Sequence, residues 1–102
     1  MLNQVLLVGR VEVMRKDERG LNLSLVIKDT KGDESTISNI IVEGLLGNGL
    51  SKIIVQGLIE GDSSKLSRGD LIEIKGYLVG NNNINEIVVE KITFLSQTKK
   101  EN

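Results

Sequence analysis

The sequence predicts an all-β domain with one short helix, and three observations support that fold class. The chain of 102 residues contains no alanine but many isoleucines and valines, a composition that disfavours helical bundles and favours strands. Several segments alternate apolar and polar residues with the two-residue period of a half-buried strand. The segment Leu50–Leu58 instead spaces its apolar residues as one face of a helix does.

The first predicted strand, Leu2–Met14, is apolar on both of its faces. Alternation places on opposite faces the two sets Val5, Leu7, Val11, Val13 and Leu6, Val8. Gly9 in the strand interior indicates a bulge or a sharp bend. A strand that is apolar on both sides must be covered on both. We therefore expect the protein core on one side of it and a partner chain on the other.

Two more strands and the helical segment follow along the chain. Leu21–Lys28 alternates clearly and turns its three leucines and Ile27 inward. The third strand, Thr36–Gly44, carries on its two faces Ile37, Asn39, Ile41, Glu43 and, opposite them, Ser38, Ile40, Val42. The helical segment contains Gly57 and β-branched residues, which are poor helix formers, so a short strand at Ile53–Gln56 is the alternative interpretation.

The last two predicted strands are Leu71–Val79 and Glu86–Leu95, joined by a tight hairpin loop at Gly80–Asn83. A polar tail over residues 97–102 follows the domain at 1–96. Three strands, a helix and two more strands, with glycines inside the first and fourth strands, predict a five-stranded Greek-key OB-fold barrel. The helix is expected between strands 3 and 4.

The composition excludes several functional classes. The chain has no cysteine and no histidine, so it lacks thiolate zinc ligands and the commonest general base, and its carboxylates show no catalytic pairing. The glycine-rich Gly44–Gly49 lacks the lysine and hydroxyl residue of a phosphate-binding loop. We predict no enzyme, no cofactor and no metal. The apolar runs are short and Met1–Gln4 has no basic residue, so we expect a cytoplasmic protein without membrane span or secretory signal.

Four segments together resemble the bacterial single-stranded DNA-binding protein family and its primosomal OB-fold relatives. They lie in the opening strand, the third strand, the fourth strand with its preceding turn, and the closing strand: LNQVLLVGRV from Leu2, NIIVEG from Asn39, RGDLIEIKGYL from Arg68 and EIVVE from Glu86. The resemblance covers nearly the whole chain. It implies a non-catalytic protein that binds single-stranded DNA in replication, repair or recombination.

The chain departs from that family at the positions where bases stack. The family stacks bases on aromatic residues, but the corresponding places of the third strand are filled here by Ile37 and Glu43. Tyr77 is the one aromatic residue placed to stack, its alternative role being a barrel-end residue with a solvated hydroxyl, and Phe94 is expected in the core. The hairpin Gly80–Asn85 is short, and the family's acidic, aromatic-tipped tail is missing.

The resemblance, together with the distribution of charge, predicts a weak binding surface for single-stranded DNA or RNA. Its residues are Arg10, Lys28, Asn39, Lys75 and Tyr77, flanked by Arg15, Lys16, Arg19 and Lys31 in two loops. The basic residues would contact phosphates, Asn39 a base edge and Tyr77 a base face. The formal net charge is −1, from 13 basic and 14 acidic residues, so no long-range attraction assists this patch.

Two functional classes remain open at the level of sequence. The first is the nucleic-acid-binding accessory protein just described, and the second is a degenerate OB-fold module that contacts proteins and binds little or no nucleic acid. In the resembling family, first strands of two subunits pair across a two-fold axis. We therefore predict a homodimer or homotetramer that uses the first strand, with Val5, Leu7 and Val11 as the interface residues.

Overall fold

The computed structural model describes residues 3–43, 54–56, 66–81 and 83–98. Within these residues the secondary structure is entirely strand and turn. The strands are β1 (Val5–Asp17), β2 (Gly20–Lys28), β3 (Glu34–Glu43), β4 (Ile54–Gln56), β5 (Leu71–Asn81) and β6 (Ile84–Ser96). All strand segments predicted from the sequence are present, and most run further than predicted.

Five of these strands close into a barrel. β1 pairs antiparallel with both β2 and β5, β2 pairs antiparallel with β3, and β5 pairs antiparallel with β6. A short parallel pairing of β3 with β6, at Ile40–Ile87 and Ile41–Val88, joins the two ends of the sheet. A five-stranded Greek-key barrel closed in this way is an OB fold, so the predicted fold class is confirmed.

The predicted helix between strands 3 and 4 is not seen at the three residues where it can be compared. Ile54–Gln56 form β4, which pairs parallel with β6 at Lys91–Thr93. This agrees with the alternative strand interpretation, and the β-branched side chains of Ile54 and Val55 favour it. The rest of the helical prediction, and the glycine-rich segment 44–49, lie outside the described residues.

The barrel interior is filled by leucine, isoleucine and valine from all five barrel strands. The predicted inward leucines of β2 are buried, and Phe94 of β6 is buried as expected. The core cluster consists of Val11, Leu21, Leu23, Leu25, Ile40, Val42, Leu66, Ile72, Ile74, Ile87, Val89, Ile92 and Phe94. Burial of this apolar surface is the main favourable term in folding of the domain.

β1 approaches β2 closely at a glycine and is interrupted by a bulge further along. A Cβ atom on Gly9 would lie 2.6 Å from the carbonyl oxygen of Val26, so β1 crosses β2 at a separation that only glycine allows. Beyond it, the register shifts between Val11 and Val13, leaving Glu12 as the extra residue. Val13, predicted on the same face as Val11, is therefore exposed.

A second bulge changes the predicted faces of β3. Leu23 pairs with Ile40 and Leu25 with Ile37, so two residues of β3 oppose one residue of β2. Asn39 lies in this bulge with a φ of 60°, in the left-handed region that asparagine tolerates better than most residues. Ile37 consequently lies on the core side with Ile40, and the predicted alternation is wrong across this point.

The β5–β6 hairpin is longer than predicted. Strand pairing continues to Gly80–Asn85 and Asn81–Ile84, so the loop expected at Gly80–Asn83 contracts to the two residues between Asn81 and Ile84. Asn83 has a φ of 66°, as tight hairpin turns require. The β5–β6 connection therefore consists mostly of paired strand.

A buried carboxylate ties the turn before β5 to the end of the chain. Asp70 is only 1% exposed, and its two oxygens accept hydrogen bonds from the backbone N–H groups of Ser67 (2.9 Å) and Thr98 (2.6 Å). The same turn bonds to β1 through the pairs Val11 N–Asp70 O and Gly69 N–Val11 O. It thereby fixes the middle of β1 beside the bulge.

Candidate nucleic-acid interface

Three of the predicted cations lie on the outward side of neighbouring strands. Arg10 is exposed on β1 opposite Val26 of β2, and Lys28 lies two residues further along β2 on the same side. Lys75 is exposed on β5 opposite Leu6 of β1. It lies about 13 Å along the strand direction from Arg10, four residues at about 3.3 Å each. We call the outward side of β2, β1 and β5 that carries Lys28, Arg10, Lys75 and Tyr77 the basic face.

Tyr77 and Asn39 are more withdrawn than the cations. Tyr77 is half-buried on β5, two residues after Lys75 and on the same side, opposite Val88 of β6. Asn39 is half-buried in the β3 bulge, across β2 from Arg10. The five predicted residues therefore spread over four adjacent strands and do not converge on one pocket. Such a surface suits an extended chain better than a compact ligand.

Pairing of β5 with β6 adds a cation that the sequence did not single out. Lys91 lies directly opposite Lys75 on the outward side of the barrel. Like charges directly opposite each other on neighbouring strands repel, and an anion between them relieves that repulsion. Lys91 was missed because its neighbour is set by the register shift between Lys75 and Gly76, which no local pattern reveals.

Carboxylates alternate with these cations. Lys28 is paired across the strands with Glu34, and Glu73 lies two residues before Lys75 on the same side of β5. The guanidinium of Arg10 donates a hydrogen bond of 2.9 Å to the carbonyl oxygen of Gly69, which holds it against the turn before β5. The basic face thus carries both cations and carboxylates, in agreement with the near-zero net charge of −1.

Ile37 and Glu43, which the resemblance places at stacking positions of the third strand, differ in burial. Ile37 packs against the core and Glu43 is exposed at the end of β3. Neither side chain offers a ring to a base, and an exposed carboxylate repels phosphate. Tyr77 is the one aromatic ring on the outward side of the described strands.

The β1–β2 turn is joined to the β5–β6 hairpin by an ion pair. Arg19 Nη1 lies 2.6 Å and 2.7 Å from the two carboxylate oxygens of Glu86. The hydrogen bond to Glu86 raises the pKa of Arg19 above its usual value. Burial opposes this, and the charges of Glu86, Glu43 and Asp17 add to it. Arginine is in any case charged throughout the physiological range.

The predicted interface residues of β1 lie mainly toward the core. Val11 is part of the buried cluster, and Val5 and Leu7 are half-buried against it. The residues that a partner can reach are those of the opposite face, Leu6 at 62% and Val8 at 45% exposure. Side chains of β1 alternate between the two faces from Val5 to Val11, as the sequence predicted. Because both faces are apolar, the local sequence does not show which of them meets the core.

One edge of the first half of β1 is open among the described strands. β1 pairs with β5 from Val5 to Arg10, whereas its pairing with β2 begins only at Arg10. The backbone of Val5–Val8 therefore has a strand on one side only. An open edge is where another strand can add to a sheet.

The described residues contain no group of three or more acidic side chains placed to hold a metal ion. They also contain no helix long and apolar enough to cross a membrane.

The barrel topology defines the class of the chain as an OB-fold protein, and solved structures share this fold. No protein-family profile and no curated protein matches the chain. The dimeric N-terminal domain of PriB from Thermoanaerobacter tencongensis matches 93% of this chain and 98% of its own, with 17% identity and a TM-score of 0.63.

A second neighbour is the S. cerevisiae mitochondrial single-stranded DNA-binding protein Rim1, with 16% identity over 98% of this chain and all of its own (100%), and a TM-score of 0.66. An OBody bound to hen egg-white lysozyme has 20% identity over 93% of this chain and 83% of its own, with a TM-score of 0.56. At these identities the likeness is one of fold. It confirms the resemblance seen in the sequence at that level.

Proposed function

We propose that this protein binds single-stranded nucleic acid weakly, without catalysis, as an accessory protein in DNA replication, repair or recombination in the cytoplasm. The observation that carries the proposal is the basic face, where Lys28, Arg10, Lys75 and Tyr77 lie outward on three neighbouring strands of an OB barrel. The Rim1 neighbour, itself described as a single-stranded DNA-binding protein, supports it.

Each residue of the surface has a distinct role. The exposed cations Lys28, Arg10 and Lys75 contact successive phosphates along an extended strand. Tyr77 presents a ring on which one base stacks, a contact that contributes about 1–3 kcal/mol. Asn39 bonds a base edge from the β3 bulge, where its half-buried side chain is held close to the barrel wall.

The binding is weak because the surface has one stacking ring and several acids. Each missing platform removes about 1–3 kcal/mol, and about 1.4 kcal/mol corresponds to a factor of ten in affinity. Glu34 and Glu73, beside Lys28 and Lys75, lower the local positive potential further. We therefore expect micromolar dissociation constants at low salt and little binding at physiological salt.

The test is a titration of fluorescently labelled oligo(dT) with the protein, followed by polarisation at several salt concentrations. Salt-sensitive binding, with a slope in log K against log salt that corresponds to several phosphate contacts at about 0.7 each, supports the proposal. Absence of binding at low salt with tens of micromolar protein overturns it. A labelled oligo(U) of equal length measures the preference between DNA and RNA.

We also propose that the protein assembles as a homodimer through β1, with a tetramer as a further step. The open edge of Val5–Val8 and the exposed Leu6 and Val8 support this assembly. Antiparallel pairing of two such edges around Leu7 sets Leu6 of each copy opposite Val8 of the other. The PriB neighbour is described as dimeric. Light-scattering mass in solution measures the subunit number.

The alternative function is a protein-binding OB module. It is favoured by the mixed charge of the basic face and by Ile37 and Glu43 at the stacking positions. The OBody neighbour, described as bound to lysozyme, has a comparable barrel and a protein ligand. This alternative predicts no salt-sensitive oligonucleotide binding for the wild type or for any charge variant of the surface.

A further inference from the structure

The ion pair between Arg19 and Glu86 joins two connections that are far apart in the chain. Arg19 lies in the turn between β1 and β2, and Glu86 lies near the start of β6 in the β5–β6 hairpin. The distances of 2.6 Å and 2.7 Å to both carboxylate oxygens make it a short, charge-assisted contact. It is the sole ion pair among the residues described by the structure. We call it the clasp.

The turn that carries Arg19 is itself held in shape. The carboxylate of Asp17 accepts a hydrogen bond of 2.8 Å from the backbone N–H of Arg19, an arrangement that closes the turn locally. Arg19 therefore projects toward the hairpin from a defined backbone position. The position of the clasp is thus set by the local structure of the turn.

The clasp lies where OB barrels hold oligonucleotides. In this fold, nucleic acid is bound by the outer side of strands 2 and 3 and by the loops that join strands 1 to 2 and 4 to 5. In this chain those two loops are the turn with Arg19 and the β5–β6 hairpin with Glu86. The clasp therefore joins the two connections that, in this fold, contact a bound strand.

The charges around the clasp favour the closed arrangement. Glu86 contacts the guanidinium of Arg19, and the charges of Glu86, Glu43 and Asp17 all raise the pKa of Arg19. The Glu86 side chain is 14% exposed and that of Arg19 is 39% exposed, so the carboxylate is largely withdrawn from water while the cation remains reachable. A phosphate approaching this end of the barrel meets more negative than positive charge.

We infer that the clasp is an autoinhibitory contact, in which Glu86 occupies Arg19 in place of a nucleic-acid phosphate. Arg19 is a phosphate-contacting residue that becomes available only when the clasp opens. This inference rests on the proposed single-strand binding and extends it to a regulated step. Arg19 is the exposed partner of this pair, so the phosphate of a bound strand can reach its guanidinium and compete with Glu86 for it.

The experiment measures oligo(dT) binding by polarisation for wild type and for Glu86→Gln over a range of salt. The variant removes the competing charge with little change in shape. We expect it to bind about three- to tenfold more tightly at low salt, because one weak ion pair no longer competes and one more cation contributes. We also expect its salt slope to steepen by about 0.7, the increment of one phosphate contact on a single strand.

The matched control is Glu18→Gln, which removes one negative charge from the β1–β2 turn next to Arg19 but leaves the clasp intact. It measures the general effect of one less negative charge, and we expect less than a twofold gain. In the double variant Arg19→Ala/Glu86→Gln the steeper slope disappears, because the residue that supplies the additional contact is gone. Thermal melting of each variant confirms that the barrel is folded.

The outcomes separate this inference from the proposed function. If wild type binds and Glu86→Gln binds no better than Glu18→Gln, the clasp is not inhibitory, although the binding function stands. If neither wild type nor Glu86→Gln binds, both proposals are overturned. Should Glu86→Gln fold poorly, Arg19→Gln opens the same contact from the other side. It leaves Glu86 unpaired, and an affinity equal to that of wild type would then contradict the inference.

Discussion

The two halves of β1 differ in what covers them, and that difference organises the molecule. The first half, Val5–Arg10, pairs with β5 and has an open edge, and its outward side chains before Arg10, which are Leu6 and Val8, are apolar. The second half, Val11–Asp17, pairs with β2, and its outward side chains beyond Val13 are charged. The apolar side chains of β1 that the barrel core does not bury thus lie mainly in its first half.

The two halves of β1 have different roles. The first half offers an edge and an apolar surface that fit a second copy of the chain. The second half leads into the turn whose Arg19 contacts Glu86 of the β5–β6 hairpin. Gly9, the bulge at Glu12 and the turn of Asp70 all lie at or near the junction of the halves.

The largest expected effect comes from removing the carboxylate that fixes this junction. Asp70→Ala leaves the backbone N–H groups of Ser67 and Thr98, which donate to the buried Asp70 carboxylate from part-buried positions, without that acceptor. We expect a loss of about 2–4 kcal/mol in the free energy of unfolding, measured by urea denaturation. The control is Asp29→Ala, since the exposed Asp29 accepts N–H bonds in a similar turn but water can replace it. Equal losses in the two variants would contradict the role of burial.

The next effect concerns the apolar first half. Leu6→Glu places a carboxylate on the exposed face that we expect in the dimer, once in each copy. We expect the dimer to weaken by about a hundredfold or more, because two leucine side chains lose burial of roughly 1.5–3 kcal/mol each. The control is Val13→Glu, at an exposed apolar residue in the second half of the same strand. If light scattering shows both variants with wild-type mass, the partner does not lie on β1.

A smaller effect is expected from adding a side chain at Gly9, where β1 approaches β2 closely. Gly9→Ala brings a Cβ atom to 2.6 Å from the Val26 carbonyl oxygen, so β1 and β2 must separate. Such overpacking costs about 1–3 kcal/mol of stability. Gly80→Ala is the control, because its Cβ atom would meet nothing closer than 3.9 Å. If the Gly9→Ala and Gly80→Ala proteins had the same melting temperature, β1 and β2 would be able to move apart without loss of stability.

The fold was predictable because local patterns and global topology agree. Clean alternation in β2 and the interior glycines of β1 and β5 indicated a bent sheet, and these positions are buried in the barrel. Register was not predictable. The bulges at Glu12 and Asn39 each shift the alternation by one residue, so Val13 and Ile37 lie on faces that strict alternation does not give them.

The candidate site was predictable as a set of outward residue types but not as an arrangement. Arg10, Lys28 and Lys75 are exposed as the alternation of their strands required. Their neighbours depend on which strands pair and in which register, which is a long-range property. Lys91 opposite Lys75, and Glu86 against Arg19, follow from that pairing alone and have no signal in the local sequence.

The smallest expected effect tests whether the first half of β1 also borders the nucleic acid. Lys75→Gln removes the cation opposite Leu6, and Lys16→Gln removes one from the end of the second half, where its partner Leu21 lies on the core side. We expect Lys75→Gln to lower oligo(dT) affinity a fewfold and to reduce the salt slope by about 0.7, while Lys16→Gln leaves both unchanged. The difference arises because phosphates follow the outward side of the strands. If only Lys16→Gln reduced the salt slope, the phosphates would bind near the β1–β2 turn and not along the basic face. The second half of β1, and not the first, would then border the nucleic acid.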